Sequence, residues 1–204
     1  VIYKEEGNNY IKVIQLIDGN YDISKSYNIE IEEEIKNIGF IGLDIYDTNI
    51  IWYTYDSLNT PVSLYEFNLD TKNKVLLREK EVPNFKKVDY ECKRIYAESH
   101  DGVMVPMSIV YKKSMFKKDG KNPLYLYGYG SYGHTVDPDF SSKILPLLNR
   151  GFVYVIGHVR GGSFLGYKWY EDGKMKKKMN TFYDFIACAE HLIKGKYTLS
   201  LIHI

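Results

Sequence analysis

The sequence predicts a mixed fold: an all-β portion followed by an α/β layer, with the change near residues 82–92. Three observations predict it. Residues 1–88 carry short strand-like runs separated by turn residues. The segment "RGFVYVIGHVRGG" holds a wholly apolar run at 152–156, as a strand buried on both faces of a sheet requires. Segment 181–193 repeats apolar residues at helical spacing. Strands that alternate with helices define an α/β layer.

Each element can be justified in order. In "YIKVIQLIDGNYDI", strand residues flank Asp18, Gly19 and Asn20, a hairpin-type turn. "NIIWYTYDSLNTPVSLYEFNLDTKNKVLLREK" supplies three further short strands, broken at 57–61 and 70–74 by turn-forming residues. Tyr65, Phe67 and Leu69 alternate with Glu66 and Asn68, the period of a half-buried strand. Strands at this spacing suit a sandwich, a barrel or propeller blades, and periodicity alone does not choose. "KRIYAESHDGVMVPMSIVYKK" then reads as a hairpin around His100, Asp101 and Gly102, and "NPLYLYGYG" as an apolar strand running into glycines. "SSKILPLLNRG" is expected to be helical, closed by Gly151, with Pro146 working against its first half. In the last helix Thr181 is expected to N-cap and Asp184 to sit three residues on, close to a capping box. Phe182, Phe185, Ile186, Ala189, Leu192 and Ile193 are expected to share its buried face.

Bulk properties narrow the function classes. The 204 residues suffice for one large domain or parts of two. The formal net charge of +1 gives no global field toward nucleic acid or anionic lipid, so neither partner is expected. No apolar run reaches the roughly 18 residues of a membrane helix. Twenty tyrosines and nine phenylalanines favour strands and aromatic pockets. Cys92 and Cys188 form no C-x-x-C pair, which supports neither a zinc cluster nor a redox motif. A cytoplasmic setting is expected, with no metal and no cofactor. The chain begins at Val1 rather than Met, so an upstream targeting segment stays open.

The stretch "YLYGYGSYGHTVDPDF" decides the functional argument. Gly128, Gly130 and Gly133 match G-x-G-x-x-G, the pattern that cradles a pyrophosphate. A dinucleotide loop needs a helix starting inside the motif and an acid about 20 residues on. Here "HTVDPDF" follows, which opens no helix and brings two aspartates that repel phosphate. The next strand ends at His158-Val159-Arg160, without an acid. Two readings of the loop remain. It is either a plain surface turn with stacked tyrosines, or one wall of a cleft at the carboxyl edge of the sheet.

The segments "NPLYLYGYGSYG", "DPDFSS", "NRGFVYVIGHVRGG" and "GYKWYEDGKMKKKMNTFYDFIACAEHLI" resemble the catalytic domain of the prolyl oligopeptidase family of serine peptidases, its oligopeptidase B branch in particular. The similarity runs over about 63–197 and is dense over 122–193. It implies C-terminal blades of a β-propeller at 1–85, then the N-terminal part of an α/β-hydrolase domain at 86–198. "RIYAESHDGVMVPMSIVYKK" resembles the hairpin that leads into that domain. The resemblance implies that Tyr129 completes the oxyanion hole, where one fixed donor contributes roughly 3 kcal/mol in the transition state. It implies that Asp137 and Asp139 form a subsite for a second basic residue of the substrate, as two carboxylates on one loop can face a guanidinium. Tyr132 falls where the family places an aromatic wall of the specificity pocket. Short basic peptides are the implied substrates.

Other residues invite roles. Arg160 could clamp a carboxylate, but a buried ion pair is the preferred expectation. The run 174–178 is expected to be a solvated basic face. His158 is expected to be structural, and His134 has no argued role. After "RGG" the chain has Ser163 and Phe164 where many relatives carry Gly-Glu, so a charged contact is lost or replaced, and Phe164 receives no family role.

A serine hydrolase of this kind needs a G-x-S-x-G elbow, then an acid, then a histidine. No such elbow exists in the sequence. Ser200 and His203 lie in the tail "LSLIHI" without elbow glycines, and residues 199–204 are read as foreign to the family. The chain is therefore expected to be an internal fragment that lacks the triad and is inactive alone. The alternatives are a prolyl oligopeptidase or acylaminoacyl peptidase with other specificity, or a non-catalytic β-propeller binding protein.

Overall fold

The structure is a computed structural model, and it describes residues 1–198 except 18, 32, 43, 44 and 46. The tail 199–204, with Ser200 and His203, lies outside the described residues, as does Asp18 of the first hairpin turn. Among the described residues, eleven strands fall into three sheets. The first is an antiparallel meander of β1 (Ile2–Glu5), β2 (Asn8–Ile17) and β3 (Asn20–Asn28). The second is a four-stranded antiparallel meander of β4 (Asn37–Ile41), β5 (Ile50–Ser57), β6 (Thr60–Asn68) and β7 (Lys74–Glu79). Up-and-down sheets of this kind are the blades of a propeller fold. The turn and alternation signals named above set these strands. Tyr65, Phe67 and Leu69 all join one core with Ile11, Ile29, Ile38, Tyr53 and Tyr55, which ties the two sheets together.

The third sheet has the order β10-β11-β9-β8. It comprises β8 (Tyr90–Glu98), β9 (Met104–Lys112), β10 (Leu124–Tyr127) and β11 (Val153–Gly157). β8, β9 and β11 pair antiparallel, while β10 and β11 pair parallel, Leu124 opposite Val153. Both faces are covered, which explains the unbroken apolar run in β11. Met107, Ile109 and Val155 pack with Cys188 and Leu192 on one face. Val110 and Ile156 pack with Leu148 and with Leu58 of the all-β portion on the other.

Three helical expectations need correction. Helix α1 is only Leu145–Leu148, because Pro146 occupies its first turn and Gly151, at φ +86°, ends the segment just beyond. Helix α2 is a short Tyr167–Glu171, and helix α3 spans Met179–Lys194. Thr181 is not the cap of α3: Lys178 occupies that position, and Thr181 sits buried inside the first turn. The inward face of α3 is also rotated from the expected one. Thr181, Asp184, Cys188 and Leu192 are buried, with Phe185 packed beside them, while Phe182, Ile186 and Ile193 are exposed. The reason is Asp184, which turns inward to meet Arg160.

Candidate active-site wall

The glycine loop leaves the end of β10 at Tyr127 and passes to the turn after β11. No helix starts in it, since the next one begins at Leu145, so the phosphate-cradle reading has no structural support. Gly130 has φ +66°, and a Cβ there would overlap the Thr181 methyl and Val159, so only glycine fits. Gly133 N–H donates to the Gly161 carbonyl at 3.0 Å, which fastens the loop to the "RGG" turn. Tyr129 stands half-exposed on this loop, its ring edge-on to His134 with centroids 5.6 Å apart. Tyr132 is 89% exposed and holds a left-handed φ of +56°, an uncommon conformation for a bulky residue.

Asp137 and Asp139 meet in a cavity of about 250 Å³, walled by Tyr127, Tyr154, Leu58 and Val136. Its lining comes from the all-β portion, the loop and the third sheet together. Tyr132 lies outside it and lines a separate cavity of about 260 Å³ with Tyr170, Lys174 and Lys178. A larger hollow of about 780 Å³ runs along β6 and β7, away from all of these residues. Asp137 accepts a hydrogen bond from the Lys4 ammonium at 2.8 Å, so this carboxylate already holds a basic side chain.

Asp56 was not singled out in the sequence, and it anchors the acidic loop. Its carboxylate is buried and accepts the Phe140 N–H at 2.7 Å and the Asn37 amide at 3.1 Å. Burial raises its pKa to about 6, helped by Asp139 and Asp137 and opposed by the two hydrogen bonds. The folded-state pKa lies above the unfolded one. The group's contribution to stability is therefore full below about pH 4 and is lost as pH rises through about 6. Asp56→Asn cannot titrate. Between pH 7.5 and pH 4.5 wild type is expected to gain on the order of 2 kcal/mol relative to this variant. Urea unfolding of both proteins at the two pH values checks this, and parallel curves at both would remove the assignment.

Behind the loop lies an ion-pair network. Arg160 is 3% exposed and Asp184 is fully buried. The guanidinium donates to Asp184 at 2.9 and 2.6 Å and to Asp101 at 2.6 and 3.1 Å. Ser99 donates to Asp184 at 2.7 Å. Burial works against the guanidinium's charge, but the two carboxylates outweigh it and raise the Arg160 pKa. Arg160 is thus the expected buried ion-pair residue. Thr181 Oγ1 donates to the Arg160 carbonyl at 2.7 Å, joining the network to α3.

His158 is buried, with Nε2 2.7 Å from Ser108 Oγ, and burial beside Arg94 and Lys4 holds its pKa well below the usual imidazole range. It is a neutral structural histidine. Phe164, left without a role above, is buried and stacked on His158 at 3.5 Å between centroids. The Lys4 ammonium and the Arg94 guanidinium lie over the Phe164 ring at 4.9 and 4.7 Å. Gly7 presses on the same ring: its φ of +79° and the overlap any Cβ would suffer there leave glycine alone to fit. The Phe164 ring therefore docks the β1–β2 hairpin against the third sheet.

The basic run is not uniformly solvated, contrary to expectation. Lys177 pairs with Asp172 at 2.7 Å and Lys174 with Glu171 at 3.6 Å, but Lys178 turns inward to the glycine loop. Cys92 and Cys188 are unpaired, and burial raises both thiols to about 12, which makes them poor nucleophiles.

Blade-type sheets followed by a sheet with a helix-covered face, and a tyrosine-bearing loop at its carboxyl edge, define the class of propeller-bearing α/β-hydrolases. The comparisons with known proteins agree. The model of the prolyl oligopeptidase family matches residues 138–200. A dipeptidyl aminopeptidase BI of Pseudoxanthomonas mexicana is 38% identical over 181 residues, 88% of this chain and 24% of the relative. A protease 2 of Moraxella lacunata is 43% identical over 168 residues, 82% of this chain and 24% of the relative. The structure of oligopeptidase B from Trypanosoma brucei with covalently bound antipain superposes with a TM-score of 0.89 at 35% identity, covering 97% of this chain and 28% of that one. This chain belongs to the prolyl oligopeptidase family. It spans about a quarter of the length of the curated relatives it matches. Among the described residues no helix is long and apolar enough to cross a membrane.

Proposed function

We propose that this chain is part of a serine-type oligopeptidase that hydrolyses short peptides on the carboxyl side of Lys or Arg. In this reading residues 1–85 belong to the propeller and 86–198 to the catalytic domain. The serine, aspartate and histidine of the triad lie outside these residues, and the chain alone does not turn over substrate. Tyr129 donates to the oxygen of the scissile carbonyl, where charge appears only as the tetrahedral intermediate forms. Asp137 and Asp139 receive a second basic side chain, and Tyr132 contributes an aromatic wall. The unpaired cysteines suit a cytoplasmic setting.

The observation that carries this reading is the pair of carboxylates in one cavity with aromatic walls, one of them already binding an ammonium at 2.8 Å. A charge-assisted hydrogen bond contributes about 1.5–3 kcal/mol. In the full-length protein, Asp137→Asn with Asp139→Asn is expected to lower kcat/KM for dibasic peptide amides by about 10–100-fold. Peptides with a single basic residue should lose less than about threefold. Equal losses on both substrates would count against the subsite.

A further inference from the structure

Lys178 is a cation that the proposed chemistry does not yet use. It stands at the N-cap of α3 and is partly withdrawn from solvent. An ammonium has three protons to donate. Here they meet the Gly130 carbonyl at 2.5 Å, the Ser131 hydroxyl at 2.8 Å and Thr181 Oγ1 at 3.2 Å. Burial is the one cause that lowers its pKa, and no carboxylate among the described residues offsets it. A cation withdrawn from water normally finds a carboxylate. This one is held on the two residues that follow Tyr129.

The backbone around it has little freedom. Gly130 sits at φ +66° against Thr181 and Val159, and Thr181 Oγ1 also reaches the Gly130 carbonyl at 3.4 Å. Tyr132, two residues on, holds φ +56°, and such left-handed conformations persist only where the surroundings impose them. The Gly133 amide is tied to Gly161. Lys178 donates to both positions between Tyr129 and these restraints. Its neighbours Lys174 and Lys177 instead pair with surface carboxylates.

We propose that Lys178 is a positioning residue, whose ammonium holds the Gly130 carbonyl and Ser131 hydroxyl so that Tyr129 is presented to the reacting carbonyl. The inference rests on the reading of Tyr129 as the oxyanion donor. A donor displaced by about 1 Å can lose on the order of 100-fold in rate while substrate still binds. In the full-length protein acting on a basic-peptide amide, Lys178→Met is expected to lower kcat about 10–100-fold and leave KM within about twofold. Lys178→Arg, which keeps charge and donors, should fall between wild type and Lys178→Met. Tyr129→Phe combined with Lys178→Met should lose no more than Tyr129→Phe alone, because the lysine acts through the tyrosine. A helix-start residue with a merely structural role would shift melting temperature without this kcat–KM split or this non-additivity.

Wild-type kcat in Lys178→Met, or losses that multiply in the double variant, overturns the proposal. If the methionine variant does not fold, Lys178→Gln replaces it: a smaller kcat loss at constant KM supports the proposal and wild-type kcat overturns it. Tyr129→Phe impaired beside a wild-type Lys178→Met removes this inference alone. Tyr129→Phe at wild-type kcat removes the oxyanion reading and this inference with it.

Discussion

Asp184→Ala is expected to destabilise the fold by about 3–5 kcal/mol, the cost of leaving a buried charge without its partner. Asp184 is fully buried and receives the Arg160 side chain, the Arg160 backbone N–H at 3.0 Å and the Ser99 hydroxyl. Arg160 keeps Asp101 in the variant, but that carboxylate is 35% exposed and screened by water. The loss concerns more than one pair. Arg160 joins the turn after β8, the turn after β11 and the first turns of α3, so its release loosens three segments that meet behind the glycine loop. Urea unfolding followed by Trp169 fluorescence reports on the region, since the Trp169 indole donates to the His158 carbonyl at 2.9 Å. The midpoint should fall by about 1–3 M. A loss below about 1 kcal/mol would show that the network contributes nothing beyond a surface pair. Arg160→Met with Asp184→Leu should recover much of the stability, because an apolar pair of similar volume avoids the desolvation cost of the ions.

The same network explains where sequence reasoning stopped. Strands and turns were legible because their signals are local. Tyr65, Phe67 and Leu69 announce a strand by alternation, and His100-Asp101-Gly102 announces a turn by residue type. The start of α3 was not legible. Thr181 and Asp184 have the residue types and spacing of a capping pair, yet both face the interior. What decides is Arg160, 24 residues before Asp184, and no local propensity registers it. The buried face of α3 follows: a helix that must deliver Asp184 inward also delivers Cys188 and Leu192, and Phe182 and Ile186 turn to the surface. Lys178 hides for a similar reason. In a basic run nothing distinguishes the one ammonium that meets a carbonyl from its neighbours.

The candidate site divides along the same line. The acids flanking Pro138 are visible in sequence, but their cavity is walled by Leu58, Tyr127 and Tyr154 from three distant segments. Asp56 reaches the acidic loop across 84 residues of chain and lies at the end of a strand, where a carboxylate reads as a turn residue. No local signal marks Phe164. Its role became legible only when the β1–β2 hairpin was seen to rest on its ring.

Tyr129→Phe in the full-length protein is expected to lower kcat by about 100–1,000-fold with KM within about twofold. The substitution removes one oxygen and one donor. The ring stays, and so does its edge-on contact with His134. Tyr129 is 46% exposed, so the loss of stability should stay below about 0.5 kcal/mol and cannot account for a rate effect of that size. The ground-state carbonyl gains little from the hydroxyl, which is why KM should hold. The tetrahedral oxyanion carries full charge, which is why kcat should fall. Steady-state kinetics on a basic-peptide amide separate the two terms, and a kcat within threefold of wild type would remove Tyr129 from the chemistry. The placement makes the result informative: Gly130 and Lys178 fix the backbone directly after Tyr129, so phenylalanine has no reason to move the loop. A deficit in kcat then reports the missing donor itself, as the proposed oxyanion role of Tyr129 requires.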